Sequence, residues 1–233
     1  MNKLRVMVVA VACVAGVSAT RADELANEPW RVYNRVFTSK LWDINRASPL
    51  PSGGVSLAFS PFDTTTTGSF AVYLMNNYNR DLTKKNTISA IFDWTPGTYR
   101  TRSTTYPGAY ARIWLQDVAS GPYDSNDYWW CHSASTPLYD VSLNDTSTGS
   151  ISCNLEDRTQ WMNQAGRYAT DTTTNWTDWT GLIVALSPYD GFTKAKKNVK
   201  QLGLSFGSSG SYASGVAVEI SPAQFNLRSF TID

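Results

Sequence analysis

Histidine is nearly missing from this chain: its 233 residues include one, His132. A lone imidazole cannot build a zinc cluster, and nothing around His132 spells an ordinary Ser-His-Asp arrangement. Beyond residue 28, glutamate occurs only at Glu156 and Glu219. A glycosidase, which works with a pair of carboxylates, would therefore have to draw on aspartate. No Walker loop and no GxGxxG occurs, so the common nucleotide-cradling signatures are absent. Cysteine is scarce, at three residues, and forms no CxxC. The one long apolar run, residues 6–17, is too short to cross a bilayer as a helix.

That run sets the first residues apart. Asn2-Lys3-Leu4-Arg5 is a basic start, and Val17-Ser18-Ala19 or Thr20-Arg21-Ala22 supplies a small-residue cleavage site. Together they read as a signal peptide over residues 1–22, followed by one domain over residues 23–233 that is secreted or periplasmic. Without the leader, 17 basic residues face 19 acidic ones. A chain so near neutrality has no electrostatic case for a nucleic-acid or anionic-membrane partner. Cys131 and Cys153 remain, and in an exported protein they are expected to form one disulfide. Asn144-Asp-Thr146 and Asn175-Trp-Thr177 are glycosylation sequons, used only in a eukaryotic secretory pathway.

What is abundant is alternation with a period of two. Val55–Phe59, Ile88–Trp94, Leu202–Phe206 and Val216–Ile220 each place apolar side chains on one face and small or polar ones on the other. Phe225–Ile232 does the same, with a slip between Arg228 and Ser229 that a β-bulge would produce. Phe70–Met75 is apolar on both sides, as at the centre of a sandwich. Trp176–Ser187 returns to strand character. Asp23–Glu28 is expected to be a polar leader or short helix, and Pro29–Ile44 a strand followed by irregular structure. Residues 117–175 are the least regular stretch, with one or two helical turns expected in Leu155–Gly166. Lys194–Lys200 reads as a solvated basic helix or loop. Short strands with turns between them predict an all-β fold, a jelly-roll β-sandwich of two antiparallel sheets. An outer-membrane barrel is set aside, because several strands bury a continuous apolar face and the chain ends in Asp233.

The order of the parts carries a resemblance. An early strand pair is followed by Ile88–Trp94, Ala109–Asp117, a Trp-led strand at Trp179–Ser187, Val199–Phe206 and a terminal strand at Phe225–Ile232. This order resembles the jelly-roll sandwiches of the galactose-binding-like superfamily, over most of Val55–Asp233 and in pattern rather than in a motif. Many carbohydrate-binding modules of secreted polysaccharide-degrading enzymes have that fold, so the resemblance implies a β-sandwich and suggests carbohydrate as the partner.

Two stretches could carry such a role. In Ala109–Gln116 the residues Tyr110, Arg112, Trp114 and Gln116 share one face. Neutral sugars are held by flat apolar rings together with hydroxyl-seeking donors and acceptors, and this face holds both. The structural alternative is a second core layer with Trp114 inside. Asp124-Ser-Asn-Asp127-Tyr128-Trp129-Trp130 adds three aromatics beside hard oxygen ligands, which suit a calcium ion although no complete ligand spacing is present. Its structural alternative is a turn followed by core tryptophans. The expected function is thus non-catalytic binding of a carbohydrate or glycoconjugate, with Tyr110, Trp114, Tyr128, Trp129 and Trp130 stacking and Arg112, Gln116 and Asp124 taking hydroxyls. A cell-envelope or matrix interaction protein is the first alternative. A glycoside-active enzyme using Glu219 with an aspartate is the second.

Overall fold

The alternating stretches become strands because each can turn its apolar side chains into a shared interior. The structure, a computed structural model, describes residues 23–36, 42–63, 68–103, 105–106, 108–118, 127–138, 147–171, 176–177, 183–185, 190–219 and 222–233. The expected leader, Asp124 and both sequon asparagines lie outside the described residues. In chain order the strands are β1 (Asp23–Glu24), β2 (Trp30–Val36), β3 (Trp42–Arg46), β4 (Ser48–Pro49), β5 (Val55–Phe59) and β6 (Ser69–Asn76). Next come β7 (Thr87–Trp94), β8 (Tyr99–Thr101), β9 (Ala109–Gln116), β10 (Tyr128–Cys131), β11 (Thr136–Leu138) and β12 (Ser147–Asn154). A 3-10 turn at Arg158–Gln160 leads into β13 (Trp161–Asn163), and β14 (Trp176–Thr177) pairs with β15 (Ile183–Ala185). Helix α1 (Gly191–Lys197) precedes β16 (Gln201–Gly207), β17 (Val216–Val218) and β18 (Ala223–Ile232).

Two antiparallel sheets pack as a β-sandwich. The first has the order β12-β7-β18-β5-β4, with β1 beside β18. The second has the order β13-β10-β9-β16-β6-β17-β8, with β2 on β6, β3 on β2 and β11 on β9. The chain crosses from β5 in the first sheet to β6 in the second, returns to β7, and crosses again to β8 and β9. Between the sheets Phe59 meets Phe206 edge-on at 5.4 Å, and Phe206 meets Phe225 at 5.1 Å. Such pairs add about 0.5–1.5 kcal/mol to what their burial contributes. The β18 register against β7 shifts between Leu227 and Ser229, the bulge expected from the slipped alternation.

Several expectations change. Residues 23–24 form a strand on β18 rather than a helix, and Glu24 Oε1 accepts hydrogen bonds from the amides of Ala26 (2.8 Å) and Phe230 (3.1 Å). The expected irregular structure after the first strand contains β3, paired with β2 from Arg31 opposite Arg46 to Arg35 opposite Trp42. β12 pairs along its whole length with β7, although its sequence is mostly Ser, Thr and Gly. β12 is held chiefly by its backbone bonds to β7 and buries only Ile151 and Cys153 among its apolar side chains, so it leaves little alternation to read. Of the helical turns expected in Leu155–Gly166 only Arg158–Gln160 forms, capped by Asp157. The basic stretch near residue 196 is helix α1, but Lys196 is buried. Its Nζ donates to the Leu155 carbonyl (3.0 Å) and to Glu156 Oε1 (2.8 Å).

The connection between β16 and β17 turns through residues 208–215 without making a hairpin. β16 and β17 both pair antiparallel to β6, so they run in the same direction, and the chain leaves the sheet at Gly207 and re-enters at Val216. Gly215, at φ +87°, makes the re-entry; a Cβ there would stand 2.7 Å from the Phe70 Cβ. The excursion is closed by Gly215 N–H to the Phe206 carbonyl (3.0 Å) and Ser208 N–H to the Ser211 carbonyl (2.9 Å). It lies against the face of the second sheet that points away from the first.

Candidate functional site

That outer face is where the two-sided pattern of β9 takes effect. Ala109, Ala111, Ile113 and Leu115 enter the inter-sheet core, and the alternate residues Tyr110, Arg112, Trp114 and Gln116 take the other side. The registers set them in cross-strand rows. Met75, Gly203, Trp114, Trp130 and Met162 form one row, and Tyr33, Tyr73, Ser205 and Arg112 form the next. The result is a second apolar cluster of Met75, Trp114 and Trp130, against which Tyr33, Tyr73, Tyr128 and Tyr212 pack. Trp114 lies 4.4 Å from Tyr73 and is stacked at 6.3 Å on Tyr128, which is stacked at 6.0 Å on Trp130. The excursion supplies Tyr212, edge-on to Trp130 at 6.1 Å. Over these rings opens a cleft of about 680 Å³, walled by Tyr73, Tyr128, Trp130 and Tyr212 with Arg35 and Asn163 among its polar groups.

Comparison with known proteins leaves this site to be judged on its own chemistry. No protein-family model matches the chain, and no curated protein matches it.

The expected binding residues fall into three positions. Tyr128 and Trp130 wall the cleft. Trp114 is 1 % exposed and backs the cleft rather than lining it. Arg112 and Gln116 are also buried. The Arg112 guanidinium lies over Tyr212 (4.4 Å) and Tyr110 (5.0 Å), and its Nη1 donates to the Ser208 carbonyl at 3.0 Å. Gln116 Nε2 donates to the Val118 carbonyl. Tyr110, half-buried, serves as one plate of the arginine stack. Trp129 points into the inter-sheet core, fully buried and 5.1 Å from Phe192, because it is one residue out of phase with Tyr128 and Trp130. The expected stacking face of β9 is thus the floor, and β10 with the 208–215 excursion provides the wall. Tyr73, Tyr212 and Arg35 were not singled out by sequence. Tyr73 was readable from the two-sided pattern of β6, whereas Tyr212 sits in a loop with no periodicity.

Several of the remaining polar groups have structural partners. His132, one strand end away, has Nδ1 on the Tyr212 hydroxyl and Nε2 3.3 Å from that of Tyr168. Burial, then the Arg112 charge, holds its pKa below the usual value. Gly203-Leu204-Ser205-Phe206-Gly207 has the spacing of a nucleophile elbow. Yet Ser205 lies mid-strand in β16, fully buried, and its Oγ has no hydrogen-bond partner among the described residues. Glu219 pairs with Arg100 at 2.6 Å and is not among the residues lining the cleft.

Asp117 and Asp127 flank the β9–β10 connection, both buried, with Lys194 Nζ 3.4 and 3.5 Å from them. Among the described residues no three His, Cys, Asp or Glu side chains converge as metal ligands. Burial, and Asp127 beside it, push the Asp117 carboxyl up to about 7 against the pull of Lys194. A raised carboxyl pKa penalises the fold as pH rises from the unfolded value near 4 through 7, and below that window the penalty vanishes. Asp117→Asn is therefore expected to stabilise the protein at pH 8, by up to about 4 kcal/mol at about 1.4 kcal/mol per unit of pKa, the attraction of Lys194 being already contained in the shift. At about pH 4 the difference should disappear. Urea unfolding of both proteins at the two pH values checks it, and an equal effect at both would refute it.

Proposed function

We propose that this protein is a non-catalytic binder of a carbohydrate or glycoconjugate, and that the outer-face cleft is its site. The observation that carries this reading is the continuous run of rings Tyr73, Trp114, Tyr128 and Trp130, with Tyr212 closing one side. Flat rings at the wall suit the C–H face of a sugar. The amide of Asn163 and the guanidinium of Arg35 stand at the same cleft, and groups of these types suit its hydroxyls. The pattern likeness to galactose-binding-like jelly rolls agrees with this reading, and so do the Cys131–Cys153 disulfide and the signal peptide expected from the sequence.

The test is retention of the purified protein on a panel of soluble and insoluble glycans, with reducing-sugar release read in the same wells. Retention on one glycan class without product is expected. Tyr128→Ala should weaken it about tenfold, the effect of losing about 1.4 kcal/mol of stacking at an aromatic anchor. Product release would instead move the protein to the glycosidases, and retention nowhere would refute the sugar reading.

A further inference from the structure

The rings of the cleft do not gather around one point. They follow one another across the sheet, from Tyr73 on β6 to Trp114 on β9 (4.4 Å), then to Tyr128 (6.3 Å) and Trp130 (6.0 Å) on β10. Met162 on β13 lies opposite Trp130 and is bridged to Tyr168, which carries the line past the cleft. In the other direction Tyr33 on β2 lies opposite Tyr73, and Ile44 on β3 lies opposite Tyr33. Ile44 is 50 % exposed and Tyr168 42 %, two of only four large apolar side chains so exposed among the described residues. Scattered exposed apolar side chains are ordinary. These two stand at opposite ends of one line of rings.

The polar groups are spread in the same way. Arg35 comes from β2, whereas Asn163 and Gln164 come from the end of β13 and the turn after it. Five strand spacings separate β2 from β13 in the order β2-β6-β16-β9-β10-β13, about 24 Å at about 4.8 Å each. A pyranose ring is little wider than one such spacing, so a single sugar cannot touch both groups, even with the reach of an arginine. A pocket for a terminal sugar brings its polar groups together on one ring. Here about 680 Å³ is drawn out over the width of six strands, which leaves room for sugar rings in single file.

We infer that the cleft takes the interior of a linear polysaccharide, lying across the strands, with further sugar rings received at Tyr168 beyond one end and at Tyr33 and Ile44 beyond the other. This rests on the glycan reading above and deepens it. Each ring that stacks adds its own contribution, so affinity grows with chain length until the line is filled.

The experiment is calorimetric titration of the full chain with cello-, xylo-, manno-, chito-, laminari- and maltohexaose, each compared with its own disaccharide. At least one hexaose is expected to bind at least about tenfold more tightly than its disaccharide. Tyr168→Ala should weaken that hexaose about fivefold and leave the disaccharide unchanged, because the shorter ligand sits on Tyr128 and Trp130. Tyr168→Phe keeps the ring and should keep the affinity, which separates stacking from the hydroxyl contact with His132. Circular dichroism of both variants confirms the fold. A disaccharide that binds as tightly as its hexaose would overturn the chain-interior inference and leave the sugar reading standing. A hexaose preference untouched by both Tyr168→Ala and Ile44→Ser would overturn the path across the strands. Binding of no hexaose, with retention only of branched glycans on the wider panel, would also overturn the inference while sparing the sugar reading. Retention nowhere overturns both.

Discussion

Trp114→Ala is expected to lower stability by about 3–5 kcal/mol, the range for deleting a large buried aromatic side chain. The ring is 1 % exposed and sits between Tyr73 and Tyr128, with Gly203 beside it in the cross-strand row contributing no side chain. Nothing nearby can collapse into the space without pulling the tyrosines off the cleft wall, so the cavity stays open and its cost is near the upper end. Urea unfolding followed by circular dichroism measures the loss. The same variant should lose glycan retention, because the floor beneath Tyr128 is gone. Tyr128→Ala, whose ring is half-exposed, should lose retention with a much smaller stability change. A Trp114→Ala protein within about 1 kcal/mol of the parent would show that the ring is not packed as the contacts require.

Removing the disulfide is also expected to have a large effect. Cys131 at the end of β10 and Cys153 in β12 join the two sheets across a separation of 22 residues. Closing a loop of that length restricts the unfolded chain by about 3 kcal/mol in the chain-entropy account. For a domain of this size that corresponds to a fall in Tm of about 10 °C. Cys131→Ser with Cys153→Ser, or reduction of the parent, should produce the same shift in a thermal melt. β12 is polar and buries little beyond Ile151 and Cys153, so the covalent link carries an unusual share of what keeps it in place. β10 also carries Tyr128 and Trp130, and the doubly substituted protein should bind glycan more weakly at temperatures well below its melt. An unchanged Tm would mean that backbone pairing of β12 with β7 suffices.

The sandwich and its bulge were legible because alternation is a direct record of burial. Each of Ile88, Ala90, Phe92 and Trp94 is buried while Ile91 between them is exposed, and the slip at Arg228–Ser229 is a one-residue change of phase that no other arrangement produces so simply. The same rule separated the two faces of β9 and put Arg112 and Trp114 on the face that bears the cleft. The rule reports which face a residue takes, and it is silent on what covers that face. Trp114, Arg112 and Gln116 became floor rather than contact surface because the 208–215 excursion and β10 lie over and beside them. Tyr212 reaches Arg112 and His132 from a loop more than 70 residues distant in sequence.

Local sequence therefore determined the alternating strands, the two-faced character of β9 and the pairing of the two cysteines. Each depends only on side-chain period or on which residues remain to react. The tertiary structure alone decided which aromatic rings stay accessible and why Lys196 is buried. Those properties come from contacts between segments far apart in the chain, and a period of two carries no information about a partner strand or a covering loop.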